Sequence, residues 1–227
     1  MMTLADSSPP ATEGDEAAAH EALSKSDRRR QAILDTAKDI FLKEGYAAAS
    51  MSAIAARVGG SKGTLYNYFR SKEELFAAFM RDVCGKQADD LLDHMPDLGD
   101  DPPSALTEIG VGLCSLVLSP EVMAISRLVV AESERFPELG HVFYETGPHR
   151  GELRLQAHFE RAVAQGHLKP GDTLRMARRF KNLCLGDLFD RRMWGIIPRP
   201  DPETLKSSVE EAVYIFLCAY GTRPPVR

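Results

Sequence analysis

The stretch SMSAIAARVGGSKGTLYNYFRSKEELF (residues 50–76) decides how this chain is read. Ser50 or Ser52 can cap a short helix in which Ile54 and Val58 face inward, and Gly59 ends it. Ser61 offers the next N-cap, and KGTLYNYF supplies roughly two turns. Ser71 then opens a longer helix through a capping box completed by Glu74, with Leu75, Phe76 and Phe79 on its buried side. Two short helices separated by Gly59-Gly60-Ser61 have the shape of a helix-turn-helix. Upstream, Ile33, Ala37, Ile40 and Phe41 fall at i, i+4, i+7 and i+8 of a helix starting near Asp27, which Gly45 stops.

Several properties point to DNA. The helix over 62–69 is too short and polar for a core helix, and its outer face can present Lys62, Thr64, Tyr66, Asn67 and Tyr68. Gly63 lets backbone approach a ligand closely, at a helix end that carries partial positive charge. Arg28-Arg29-Arg30 lies just upstream and could reach the duplex backbone or minor groove. The charge is lopsided: residues 1–24 hold five acids and no base, 24–72 carry a net +6, and 73–227 a net −6, within a total of −5. A basic module on an acidic body implies an anionic partner at one end only.

Composition narrows the class. With 227 residues, 44% apolar and 27% charged, the chain suits one or two compact domains. Cys84, Cys114, Cys184 and Cys218 lie at least 30 positions apart, which excludes C-x-x-C zinc modules and a dense disulfide scaffold. The first residues carry acids and no apolar segment, unlike a signal peptide. The charge-free stretches 109–120 and 212–221 fall short of the roughly 20 residues a membrane span needs. A soluble cytoplasmic protein, without membrane, cofactor or metal, is the expectation.

The run RRQAILDTAKDIFLKEGYAAASMSAIAARVGGSKGTLYNYFRSKEELFAAFM (29–80) resembles the N-terminal domain of the TetR family of transcriptional regulators. The match includes Ile33, Ala37, Phe41 and Gly45, then Ile54 and Ala55, the run Lys62 to Phe69, then Lys72 and Leu75. Gly60 departs from the pattern, since the family usually has an aliphatic residue there that packs the turn, so a softer turn is expected. The body is more weakly similar to the family's AefR-like branch, chiefly through LVVAESERFPELG (128–140). The resemblance implies that Ser50 and Ser52 stand near the DNA backbone and that Lys62, Gly63 and Thr64 lead the recognition helix into the major groove. By the same resemblance Tyr66 and Tyr68 offer hydroxyls to phosphates or bases beside Asn67, Lys72 meets a phosphate, and Leu65 and Phe69 are core. Arg28 and Arg29 complete the expected DNA contacts.

The expected fold is all-α: a disordered acidic tail (1–26), a helix-turn-helix DNA-binding domain (27–87), and a helical effector-binding and dimerisation domain (88–227). HMPDLGDDPP (94–103) reads as a connector, and Gly147-Pro148 interrupts the segment 138–166. The segments 173–194 and 202–220 carry wide apolar faces, the latter Leu205, Val209, Ala212, Val213, Phe216 and Tyr220, expected to pack against a second copy as a four-helix bundle. A small apolar or amphipathic effector is expected among residues 103–194, against Leu113, Met123, Leu128, Phe143, Phe159 and Trp194.

Other patterns weaken on inspection. GGSKGT (59–64) is no phosphate loop, because Lys62 precedes its glycine and no strand leads in. His141, Glu145 and His149 have metal-binding spacing, but Gly147-Pro148 breaks the helix between them. Asp187 and Asp190 with Arg191 and Arg192 read as helix ion pairs rather than acid–base machinery. The sequence points to a homodimeric repressor released from its operator by a small molecule, and not to an enzyme. Its rivals are a helical ligand-binding protein or enzyme with an incidental basic head, and a DNA-binding activator without effector.

Overall fold

The computed structural model describes the backbone of residues 13–223 and the side chains of 25–223 other than those of Cys84, Lys86 and Gln87. Its elements are α1 (Glu13–Glu44), α2 (Met51–Val58), α3 (Lys62–Tyr68), α4 (Lys72–Asp93), α5 (Pro102–Val117), α6 (Pro120–Glu132), α7 (Pro137–Thr146), α8 (Pro148–Ala164), α9 (Thr173–Met193) and α10 (Pro202–Tyr220). Among the described residues there is no strand, only an isolated antiparallel bridge between Leu168 and Gly221. The fold is all-α. Among these residues no single helix is long and apolar enough to cross a membrane.

Local hydrogen bonding sets the boundaries in the head. Ser50, not Ser52, caps α2 by accepting from the Ala53 N–H at 3.0 Å. At its other end Gly59 is left-handed (φ +74°, ψ +44°), with Gly60 N–H reaching Ala55 O and Gly59 N–H reaching Ala56 O. That pair of bonds is a Schellman closure, which a residue with a Cβ adopts only under strain. Ser61 caps α3 through Thr64 N–H (3.0 Å), and Ser71 caps α4 through Glu74 N–H (3.1 Å). The Glu74 carboxylate returns to the Arg70 N–H at 2.8 Å, one residue earlier than a standard capping box.

The head's core gathers Ile33, Leu34, Ala37, Ile40 and Phe41 of α1, Ile54 of α2, Leu65 of α3, and Leu75, Phe76 and Phe79 of α4. It does not stop at the expected domain border. α4 runs unbroken through position 87, and Ile125, Val129 and Leu139 from α6 and α7 belong to the same cluster. Head and body therefore share a core and a helix. Helix α1 begins at Glu13, within the segment 1–26 read from sequence as an acidic tail. Residues 1–12 lie outside the described part.

The body packs α5, α9 and α10 around Phe159, Phe180 and Phe216, whose centroids lie 5.2–5.7 Å apart. Gly110 permits the close approach: a Cβ there would lie 2.6 Å from Val209 Cγ1 and 3.0 Å from Cys184 Sγ. This core absorbs the apolar face assigned to a second chain. Leu205, Val209, Ala212, Val213 and Phe216 are all buried within their own subunit, and Tyr220 is partly so. Helix α9 also contains a kink at Gly186 (φ +47°, ψ −138°). Cys114 and Cys184 are buried free thiols, burial pushing the first up to about 12 and the second higher.

Candidate nucleic-acid interface and effector cavity

The exposed surface of the helix-turn-helix comes from few residues. On α3, Lys62, Gly63, Tyr66 and Asn67 are exposed, and the Lys62 ammonium lies 5.7 Å from the Tyr66 ring centroid. Ser50 and Ser52 are exposed at the start of α2. Thr64 is half-buried, its hydroxyl 2.9 Å from Ser61 Oγ, and Tyr68 is half-buried against the head's core. Leu65 and Phe69 are buried, as the resemblance implies. Arg28 is exposed on α1.

Two of the expected DNA contacts point elsewhere. Arg29 donates from both terminal nitrogens to carbonyls at the end of α2, Val58 O (3.3 Å) and Gly59 O (3.2 Å). It thus closes the orphan carbonyls of that helix, as a cation at a helix C-terminus does well. Its guanidinium also occupies the space beside Gly60: a Cβ built there would lie 2.6 Å from Arg29 Nη2. The turn that Gly60 was expected to soften is therefore filled by an arginine from α1. Arg30 lies over the Phe69 ring at 5.4 Å.

Lys72 is the second. Its ammonium donates to Tyr46 O at 3.0 Å, and lies 3.8 Å from the Tyr46 ring centroid and 5.0 Å from that of Phe136. Burial lowers its pKa, against the opposing pull of Glu73, Glu138 and Glu132. Tyr46 belongs to the head and Phe136 opens α7, so Lys72 joins the two parts instead of facing outward. Lys72→Met is accordingly expected to leave the salt slope of DNA binding unchanged while lowering thermal stability, checked by operator titration at several salt concentrations and by calorimetry. A phosphate ligand would instead lower that slope by about 1.

Beneath the head lies a cavity of about 420 Å³, within the range of small-molecule sites. Met80, Arg81, Gly85, Ala88, Leu91 and Leu92 of α4 form one wall, and α5, α6, the α7–α8 corner, α8 and α9 supply the others. Of the six residues expected there, Leu113 and Phe143 line it. The other four are corrections. Met123 and Phe159 are fully buried in the body core, Leu128 packs on the head cluster, and Trp194 is 70% exposed past the end of α9. Helical spacing identifies a buried face but not whether a void or another helix lies behind it.

The cavity's polar wall was missed outright. Glu152, only 4% exposed, accepts from Arg178 Nε (2.9 Å), from Lys181 Nζ, and from the Tyr144 hydroxyl (3.3 Å). Burial would raise its pKa, but the bonds and charges of Lys181 and Arg178 outweigh it and hold the carboxyl below the usual range. The partners are 26 and 29 residues away, so no spacing rule announces them. Tyr144 stacks on His149 at 5.4 Å, and among the described residues no group of three or more His, Cys, Asp or Glu could hold a metal ion. Asp187 and Arg191 form the expected ion pair (3.2 Å), whereas Arg192 donates to Leu118 O.

Comparison with known proteins gives consistent matches. Residues 33–79 match the family model described as bacterial regulatory proteins, tetR family, and residues 104–222 that described as AefR-like transcriptional repressor, C-terminal domain. The solved structure of the flavonoid-responsive regulator FrrA is 31% identical, with a TM-score of 0.73 over 87% of this chain and 99% of its own. A TetR-family structure from Mesorhizobium loti MAFF303099 is 26% identical, also at 0.73, over 87% and 98%. The transcriptional regulator BetI of Rhizobium meliloti is 31% identical over 49% of this chain, and the aligned stretch spans 55% of BetI.

Proposed function

Because the chain belongs to the TetR family of transcriptional regulators, we propose that it is a sequence-specific, homodimeric repressor that a small molecule releases from its operator. One observation carries this reading. Helix α4 serves both parts: Leu75, Phe76 and Phe79 close the head's core, while Met80, Arg81, Gly85, Leu91 and Leu92 line the cavity. A molecule filling that cavity presses on the same rod that holds α2 and α3 in place. By linkage it weakens operator binding only through its differential affinity for the two arrangements, and a hundredfold release needs about 2.7 kcal/mol. The likeness to FrrA, a regulator named as flavonoid-responsive, supports small-molecule control.

On DNA, Lys62, Gly63 and Thr64 lead α3 into the major groove, with Tyr66, Asn67 and Tyr68 behind them. Ser50, Ser52 and Arg28 meet the backbone. Arg29 and Lys72 act from within the protein, holding the turn and the junction. One seven-residue helix buries too little for tight specific binding, so two heads about 34 Å apart read successive grooves. The second copy is held by the outer faces of α9 and α10, where Leu183 is half-buried and Ile215 and Cys218 are exposed.

The test is an electrophoretic shift with the promoter DNA flanking the protein's own gene, together with light scattering. Lys62→Ala and Tyr66→Ala are each expected to weaken binding by about 10- to 100-fold, with unchanged circular dichroism. Undiminished binding by both, or a monomer on DNA, overturns the reading.

A further inference from the structure

The cavity's charges discriminate among ligands. Among the described residues four ionisable side chains line it: Glu152, Lys181, Arg81 and Arg150. The sole acid is saturated by Lys181, Arg178 and Tyr144, so an incoming cation finds no unpaired carboxylate. It would lie beside Lys181, Arg81 and Arg150 with no carboxylate left over to pair with it. The cations differ in availability. Arg81 makes no ion pair among the described residues. Arg150 pairs with Asp89 of α4, but both side chains are 44% exposed, and such a pair is weak and exchangeable. Arg81 and Arg150 are themselves exposed, marking a place where the cavity meets solvent. Small residues of the same two elements, Gly85 and Gly151, line it with them.

We infer that the effector is an amphipathic acid, whose apolar body fills the cavity and whose carboxylate is held by Arg81 and Arg150 in place of Asp89. This rests on reading the cavity as the effector site. Its regulatory consequence follows from the elements involved. Two ion pairs, Arg150 with Asp89 and Arg154 with Asp93, tie α8 to α4. The acid removes the first of these ties and takes hold of α4 at Arg81, two turns nearer the head. The ligand's charged end thus acts on the helix that positions the reading surface, adding to the pressure that a neutral ligand of the same size exerts by filling the cavity.

The experiment uses the full chain and a neutral fluorophore, N-phenyl-1-naphthylamine, displaced at pH 7 by dodecanoate, dodecan-1-ol or dodecylamine below their aggregation concentrations. Dodecanoate is expected to bind about tenfold more tightly than the alcohol, with the ammonium weakest. Arg81→Gln should lower dodecanoate affinity by about fivefold or more and leave the alcohol unchanged. Equal affinities, the ammonium binding best, or an Arg81→Gln effect common to all three overturns the inference. Leu113→Trp separates this from failure of the site itself. If it fails to fold, Gly151→Trp replaces it, because a Cβ at Gly151 meets nothing within 4 Å. Displacement that survives the blocking variant refutes the cavity as the site. Displacement that it abolishes, with the ammonium still ranked first, refutes only the charge assignment.

Discussion

Phe41→Ala is expected to lower the free energy of unfolding by about 3–5 kcal/mol and to abolish operator binding near physiological temperature. Phe41 is fully buried, and its ring stands 5.6 Å from Tyr46, 5.3 Å from Phe76 and 5.8 Å from Phe79. Truncation removes one ring from a four-ring cluster and leaves a void that two helices must close by moving toward each other. Neither is free to move. α1 is held by Arg29 to the end of α2, and α4 is engaged with the body through Lys72. Because Ile125, Val129 and Leu139 complete this core, the damage is expected to reach α6 and α7. Urea unfolding followed by far-ultraviolet circular dichroism measures it, and a loss below about 1 kcal/mol would mean that the cluster repacks.

The second large effect belongs to the cavity's polar wall. Glu152→Gln removes the charge that Lys181 and Arg178 share, and is expected to cost about 2 kcal/mol at pH 7. This is less than the roughly 3–5 kcal/mol for a fully buried pair, because the arginine is half in solvent. The pH dependence has a definite sign. The folded carboxyl titrates below its unfolded value, so its contribution is complete above the unfolded pKa, near 4.5, and fades as pH falls through the folded one. The gap in urea midpoint between wild type and Glu152→Gln should therefore narrow as pH drops below about 4.5. A gap constant from pH 7 to pH 3 would show that the charge on Glu152 is not the source of the loss.

The head was legible because its determinants are local. Ser61 and Ser71 cap helices three residues ahead of their partners, Gly59 needs left-handed geometry at one position, and Leu65 and Phe69 are one helical turn apart, both buried, each followed by an exposed residue. Such short-range rules survive translation into a string of letters. What failed was the direction of long, flexible cations. Arg29 and Lys72 occur among basic residues next to the reading surface, yet their partners, Val58 O and Tyr46 O, are backbone atoms 29 and 26 positions away. The apolar face of α10 was recognised, but sequence cannot say which of two surfaces buries it, and the subunit's own core took it. The cavity was hardest, since its lining draws on α4 to α9 and its outline is set by what their side chains leave unfilled.

The arginine beside Gly60 bears on what could replace the turn. An aliphatic side chain at position 60 would require the Arg29 guanidinium to swing aside, and with it would go the two bonds that seal the carbonyls of Val58 and Gly59. A chimera that borrows the turn of a relative without its first helix therefore displaces an arginine that has work at the end of α2.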